Sequence, residues 1–149
     1  MKSAAFVVTL VVAAFGAGCS ASPSGPSRGQ LSVTSVTAVG STRPGGGYSY
    51  AVTFTARETG GVDTTVMSID VRVFSGTAVL AGSNFGNGLG FAVPKNGSYR
   101  SDGQYVIDDP PTPQPHPYAD IIRVTLNYVD KDNNSGSVSG SGTILPNPM

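Results

Sequence analysis

Apolar and polar residues alternate along most of the chain after residue 30, and this period of two predicts β-strands rather than helices. The clearest segment is residues 48–57, whose inward side chains are predicted to be Tyr50, Val52, Phe54 and Ala56. Residues 65–74 repeat the pattern, and their inward side chains are predicted to be Met67, Ile69, Val71 and Val73. Each of these strands should present one face to the core and the other to solvent.

The other predicted strands are shorter or less regular. Residues 31–39 form the first strand, with a β-bulge where the alternation breaks at Ser35 and Val36. A short edge strand is expected at residues 76–80 and a longer strand at residues 98–107. Residues 119–129 and 136–145 should form a final hairpin, and the inward side chains of its first strand are predicted to be Ile122, Val124, Leu126 and Tyr128.

Turn residues separate these segments and set the predicted fold class. Residues 108–117 hold five prolines, which cannot donate hydrogen bonds to a sheet, so this segment is predicted to be a crossing loop. Seven to eight short strands with such spacing predict an all-β domain, namely an immunoglobulin-like antiparallel β-sandwich over residues 30–149. A barrel is the alternative.

The strand spacing and the C-terminal hairpin resemble the bacterial immunoglobulin-like and fibronectin type III-like domains of secreted and surface proteins. The resemblance covers about residues 30–146 and rests on pattern, without a specific motif. The Cys-Trp-Cys signature of true immunoglobulin domains is absent, because the sequence has no Trp and its single cysteine is Cys19. This fold class, together with a membrane tether and the lack of a catalytic set, favours a module that presents loops or a sheet edge to a partner.

The first 18 residues have the three parts of an export signal. Lys2 gives a positive start, residues 4–15 are apolar, and residues 16–18 are small. An apolar run of about 12 residues spans only about 18 Å as a helix, less than a bilayer core of about 30 Å, so a permanent transmembrane helix is not expected.

Gly16-Ala17-Gly18-Cys19 resembles the lipobox of bacterial lipoproteins, although Gly16 stands where that family usually has an aliphatic residue. The resemblance implies that residues 1–18 are removed and that Cys19 is acylated. The domain would then be anchored to the cell membrane or the outer membrane, outside the cytoplasm. The alternative is an ordinary secretory signal, cut after Gly18 or Ala21. Residues 19–29 are rich in Ser, Pro and Gly and are predicted to be a flexible linker.

Charge excludes one class of partner. Only 12% of residues are charged, the formal net charge is zero, and the basic residues are scattered singly from Arg28 to Lys131. Nucleic-acid binding depends on clustered Lys and Arg that neutralise phosphates, so no nucleic-acid partner is expected.

The segment between the last two predicted strands carries a candidate calcium site. Asp130, Asp132 and Asn134 place oxygen side chains at alternate positions, as the first ligands of a calcium loop do. An EF-hand would need Gly and Glu where Ser135 and Ser141 stand. The alternative is a hairpin turn, because Asp and Asn tolerate left-handed backbone conformations.

Aromatic residues and the single histidine give two further candidates. A sugar-binding surface could be lined by Tyr48, Tyr99, Tyr105, Tyr118 and Phe85. A catalytic triad would have to use His116, but the sequence has no G-x-S-x-G motif, so no enzyme activity and no cofactor are expected. The predicted function is a membrane-anchored, non-enzymatic module that binds an envelope protein or a glycan. The alternative is a calcium- or carbohydrate-binding surface lipoprotein.

Overall fold

The computed structural model describes residues 27–86, 90–109 and 119–146. Within these ranges the chain forms nine strands and no helix. The strands are β1 (Leu31–Thr42), β2 (Tyr48–Glu58), β3 (Thr64–Ser75), β4 (Ala78–Phe85), β5 (Phe91–Val93), β6 (Ser98–Arg100), β7 (Tyr105–Asp109), β8 (Ile121–Asp130) and β9 (Ser135–Pro146). The predicted signal, Cys19, most of the linker, His116 and Tyr118 lie outside the described residues. In the part that is described, no helix is long and apolar enough to span a bilayer.

The strands are hydrogen bonded in the order β4-β3-β8-β9-β1-β2-β6, with β5 also pairing with β3 and β7 with β2. The two ends of this path pack against each other. The rings of Phe85 on β4 and Tyr105 on β7 have centroids 5.1 Å apart, and Phe54 on β2 lies 6.3 Å from Phe91 on β5. The sheet is therefore folded into two facing layers, and the predicted all-β, sandwich-like architecture is confirmed.

The sheet is mixed rather than antiparallel, which corrects the sequence prediction. Strand β9 runs antiparallel to β8 and then, from Thr143 to Pro146, parallel to β1. Glycine permits this change of partner, because a Cβ on Gly142 would lie 1.7 Å from the backbone oxygen of Val36. The predicted hairpin with β8 is present, but alternation along β9 could not reveal that its C-terminal end would also join β1.

The described residues form nine strands, whereas seven to eight were predicted, partly because one predicted strand is divided in two. Residues 98–107, predicted as one strand, are divided into β6 and β7 by a turn in which Asp102 and Gly103 have φ angles of 47° and 78°. The buried Ser101 stabilises this break, because its hydroxyl accepts a hydrogen bond from the Phe54 N–H at 2.8 Å. Strand β5, which follows Gly90, was not predicted.

The core forms where the clearest alternation predicted it. The inward side chains predicted on β2 and on β8 are all buried: Tyr50, Val52, Phe54, Ala56, Ile122, Val124, Leu126 and Tyr128. The irregularity predicted at Ser35 and Val36 is also present, as a register shift between Val33 and Ser35. Strand alternation therefore identified most of the apolar interface between the layers.

Met67 was wrongly predicted to face the core. Its side chain is 53% exposed, whereas its neighbour Val66 is 1% exposed. A register shift in the pairing of β3 with β8, between Val66 and Ser68, turns Met67 outward. One extra residue in a strand moves the following side chains to the opposite face, which explains why Ile69, Val71 and Val73 still point inward.

Candidate functional site

The outer face of the layer β4-β3-β8-β9 is a surface of polar side chains, which we call the polar face. Directly paired residues on neighbouring strands share a face of the sheet, so the register determines which side chains meet. One row across the sheet contains Gly82, Arg72, Arg123 and Ser141. The next row contains Asn84, Asp70, Thr125 and Ser139.

The two arginines of the polar face are held in different ways. Arg72 is paired with Asp70, two residues away on the same strand, with Nε to Oδ1 at 2.9 Å and Nη2 to Oδ2 at 3.5 Å. The guanidinium carbon of Arg123 lies 5.0 Å from the centre of the Phe74 ring, and its Nε donates to the Ser141 hydroxyl at 3.4 Å. Arg123 is thus oriented by a ring and a hydroxyl, and its terminal nitrogens make no hydrogen bond among the described residues.

A groove of about 420 Å³ lies over these rows, and its lining residues are Asp70, Arg72, Phe74, Asn84, Arg123, Thr125, Asn127 and Ser139. A shallower depression of about 300 Å³ shares Asp70, Arg72 and Asn84 and extends over Gly82. Gly82 lies opposite Arg72, and a Cβ at this position would lie 3.4 Å from the Cγ of Arg72, so the stem of Arg72 packs over the glycine. The groove is within the size range of small-molecule sites, roughly 300–1,000 Å³.

The polar face is positively charged at its centre, although the protein as a whole is neutral. Arg72 and Arg123 are directly paired across β3 and β8. Like charges in this position repel each other, and Asp70 forms an ion pair with Arg72 only. Among the described residues, no carboxylate forms an ion pair with Arg123. This arrangement can bind an anion that the protein itself does not supply.

Sequence reasoning identified none of these residues as a site. Alternation placed Asp70 and Arg72 on the solvent side of β3, but the pairing register that brings Arg72 next to Arg123 depends on the bulge at Val66 and Ser68. Two arginines at outward positions of predicted strands, among Ser, Thr and Asn, were the available signal.

The candidate calcium residues form a hairpin turn. Asp130 is 4% exposed, and its carboxylate accepts hydrogen bonds from the backbone N–H groups of Gly29, Asp132 and Asn134 at 2.8–3.1 Å. The Asn134 amide also donates to it, and the Asp132 carboxylate pairs with Lys131 at 3.0 Å. No group of three or more His, Cys, Asp or Glu side chains in the described ranges is placed to hold a metal ion. The turn interpretation accounts for every one of these contacts.

These hydrogen bonds change the acidity of Asp130. Burial raises the pKa of its carboxyl, but the Asn134 side chain and the backbone N–H groups of Asn134, Gly29 and Asp132 outweigh burial and lower the pKa to about 2. The turn therefore depends on an ionised carboxylate.

Glu58 is a second buried carboxylate that the sequence did not single out. It is 1% exposed and accepts hydrogen bonds from four backbone N–H groups, those of Gln30, Gly60, Gly61 and Asn96, at 2.7–3.1 Å. Burial raises the pKa of its carboxyl, but these four donors outweigh it and lower the pKa below its ordinary value. Continued alternation along β2 would have placed this residue inward, next after Ala56.

Four of the five aromatic residues predicted to line a sugar-binding surface lie within the described ranges, and these four lie in the core or against it. Tyr105 is 4% exposed, and burial together with a hydrogen bond with Tyr99 that favours the neutral phenol raises its pKa to about 12. Tyr99 stacks on Phe91 at 3.6 Å, and Phe85 meets the Tyr105 ring edge-on. Tyr48 is also packed against the core. These rings therefore do not form an exposed stacking surface.

Comparisons with known proteins support the fold. No protein-family model and no curated protein match the chain. The chain is similar to a Bordetella pertussis protein provisionally named ApaA, with 19% identity, a TM-score of 0.56, and coverage of 82% of this chain and 98% of that one. Weaker likenesses, with TM-scores of 0.49 and 0.41, are to the structural genomics target SoR45, at 12% identity, and to the sporulation control protein Spo0M from Bacillus subtilis, at 10% identity. They cover 76% and 82% of this chain, and 84% and 49% of the respective structures. At 19% identity, the Bordetella protein shares the fold, and its likeness carries no information about activity.

Proposed function

We propose that this chain is an exported, membrane-anchored, non-enzymatic binding module of the bacterial cell envelope, with the polar face as its binding surface. One observation carries the proposal: the groove over β3 and β8 contains an oriented arginine, Arg123, whose charge no carboxylate of the described residues balances. An oriented positive charge beside a groove provides electrostatic complementarity to an anionic partner. Export and the lipid on Cys19 are inferred from the signal and lipobox patterns alone.

The placement of the groove agrees with a tethered module. The chain enters the domain at Gly29, which bonds to Asp130, and Asp130 pairs with Thr64 at the start of β3. Arg72 lies eight residues further along β3, which corresponds to about 26 Å. The groove therefore lies away from the end of the domain that the linker joins, where an envelope ligand would have access to it.

The chemistry of the groove favours binding over catalysis. Its lining residues include no His, Cys or Glu, and the Ser139 hydroxyl is hydrogen bonded to Thr125 at 2.8 Å rather than to a base. A serine nucleophile needs an adjacent base to activate it. Arg and Asn side chains supply hydrogen bonds and charge, which are the means of recognition.

We also propose that the fold is an immunoglobulin-like sandwich. Two layers of strands facing each other across an apolar core support this assignment, as does strand β9, which joins both layers. Comparison of the order of the strands with that of immunoglobulin-like domains in an experimental structure would test it.

The anchor is tested by expressing the full chain and its Cys19→Ser variant in a bacterial host. We expect the wild-type protein in the membrane fraction with an acylated N-terminal Cys19, and the variant in the soluble exported fraction. Mass spectrometry of the mature N-terminus gives the readout. An unmodified Cys19, or a chain that starts at Ser22, would contradict the lipid anchor.

The binding surface is tested with a photo-crosslinking residue placed at Asn127 in the groove, and separately at Thr37 on the outer face of the other layer. Both positions are exposed. We expect adducts in intact cells from position 127 and few from position 37. Equal adducts at both positions, or none at position 127, would refute the polar face as the binding surface.

A further inference from the structure

We infer that the groove of the polar face binds an acidic sugar residue, such as a uronic acid unit of an envelope or extracellular polysaccharide, with its carboxylate on Arg123 and Arg72. The inference rests on the proposed function and assigns it a class of ligand. It is carried by the juxtaposition of two arginines with neutral hydrogen-bonding groups in a groove of about 420 Å³.

The arginine pair provides the site for the carboxylate. Within the described residues, the terminal nitrogens of Arg123 make no hydrogen bond and no ion pair, since only its Nε donates, to Ser141. The ring of Phe74 orients the guanidinium plane. A guanidinium matches the two oxygens of a carboxylate with two parallel N–H donors. An added carboxylate would also relieve the repulsion between the directly paired Arg72 and Arg123.

Neutral polar groups around the arginines provide partners for sugar hydroxyls. Asn84 is exposed and makes no side-chain hydrogen bond among the described residues. The hydroxyls of Thr125 and Ser139 bond to each other at 2.8 Å, and the Asn127 amide donates to Ser68 at 3.0 Å. Hydroxyls and amides both donate and accept, so this set can serve the hydroxyl groups of a sugar ring.

The position of the groove favours a sugar over an acidic peptide. Strand β3 is paired with β4 and β8, and β8 is paired with β3 and β9, so their backbone groups are already used. An extended peptide cannot add to the sheet at this position, because strand addition requires a free edge. The Phe74 ring is covered by Arg123, which leaves little apolar surface for the anchoring side chains of a peptide.

The test is calorimetric titration of the purified full-length protein with a short galacturonate oligosaccharide and with its methyl ester. Esterification removes the negative charge and keeps the ring hydroxyls. We expect measurable binding of the acid, at least tenfold weaker binding of the ester, and weakening of acid binding as salt increases. Equal binding of acid and ester would overturn the inference.

Three variants localise the binding. Arg123→Gln should weaken binding of the acid at least tenfold. Asn84→Ala, which disturbs no hydrogen bond of the described residues, should weaken it without affecting folding. Arg57→Gln is the matched control, because Arg57 is exposed on β2 in the other layer. Unchanged binding in both Arg123→Gln and Asn84→Ala would exclude this groove as the site.

Two further probes separate the inference from the proposed function. Binding of a poly-glutamate peptide that is tighter than that of the sugar and depends on Arg123 would assign the groove to acidic peptides and overturn the inference. If acetate binds as tightly as the sugar, the ring hydroxyls of the sugar contribute nothing to affinity, and the assignment of the groove to a sugar is overturned. If galacturonate fails to bind while crosslinks form at position 127, the inference fails and the binding function stands. If galacturonate does not bind and no crosslinks form at position 127, both the inference and the proposed binding function are refuted.

Discussion

Glu58 and Asp130, which lie on different strands, bind consecutive residues of the chain where it enters the domain. Asp130 accepts a hydrogen bond from the Gly29 N–H at 3.1 Å, and Glu58 accepts one from the Gln30 N–H at 3.1 Å. Glu58 also binds the two turns that contain Gly60 and Asn96. We call this pair the carboxylate clamp. It fixes the point where the linker ends and the sandwich begins.

The carboxylate clamp predicts a loss of stability in acid. Both carboxyls have a pKa below the ordinary value in the folded protein, that of Asp130 at about 2. The unfolded chain, with ordinary values near pH 4, binds more protons in this range, so the free energy of unfolding falls as the pH falls from about 5 to about 2. Urea unfolding, monitored by circular dichroism at a series of pH values, measures this fall in the free energy of unfolding. A constant midpoint across this range would contradict the prediction.

A matched pair of variants assigns this effect to the clamp. Glu58→Gln leaves buried N–H groups with fewer acceptors and should lower the free energy of unfolding by about 1–3 kcal/mol at neutral pH. Glu58→Gln should also reduce the dependence of the free energy of unfolding on pH in the acid range. Asp102→Asn is the control, because Asp102 forms an ion pair with Arg100 in which both side chains are more than two-thirds exposed, 76% and 68%. Exposed pairs contribute little to stability, so this variant should be close to wild type.

The bulge in β3 predicts unequal losses of stability for alanine substitutions at two adjacent residues. Val66→Ala removes buried methyl groups and should lower the free energy of unfolding by about 2 kcal/mol. Met67→Ala changes a side chain that is 53% exposed and should cost less than about 0.5 kcal/mol. Equilibrium unfolding of the two variants gives the comparison. A larger loss for Met67→Ala would mean that the register of β3 is the one the sequence alone suggested.

The junction of β9 with β1 predicts that one added methyl group, at position 142, strongly lowers the thermal stability. In Gly142→Ala the new Cβ would lie 1.7 Å from the Val36 backbone oxygen, so the two strands would have to separate. We expect a marked fall in the thermal midpoint, with faster amide hydrogen exchange at the β1–β9 pairing. Ser137→Ala, at an exposed position of the same strand, is the control and should leave both unchanged. Normal stability of Gly142→Ala would argue against the close approach of β9 to β1.

The sequence by itself determined the all-β class, the buried faces of β2 and β8, and the turn from Asp130 to Asn134. Each of these depends on the period of two along a strand or on local turn chemistry, which neighbouring residues specify. The resemblance of residues 16–19 to a lipobox is likewise a local pattern, and it stays a prediction.

Apart from the predicted hairpin of β8 and β9, only the tertiary structure decided how the strands pair. The bulge at Val66 and Ser68 reversed the direction of Met67, and the glycines of β9 allowed it to run parallel to β1. Arg72 and Arg123 are 51 positions apart in sequence and meet only because β3 and β8 adopt one particular register. Alternation specifies which face a side chain occupies but not which strand lies beside it, because pairing partners are chosen by packing across the whole core. For this reason the polar face could not be read from the sequence.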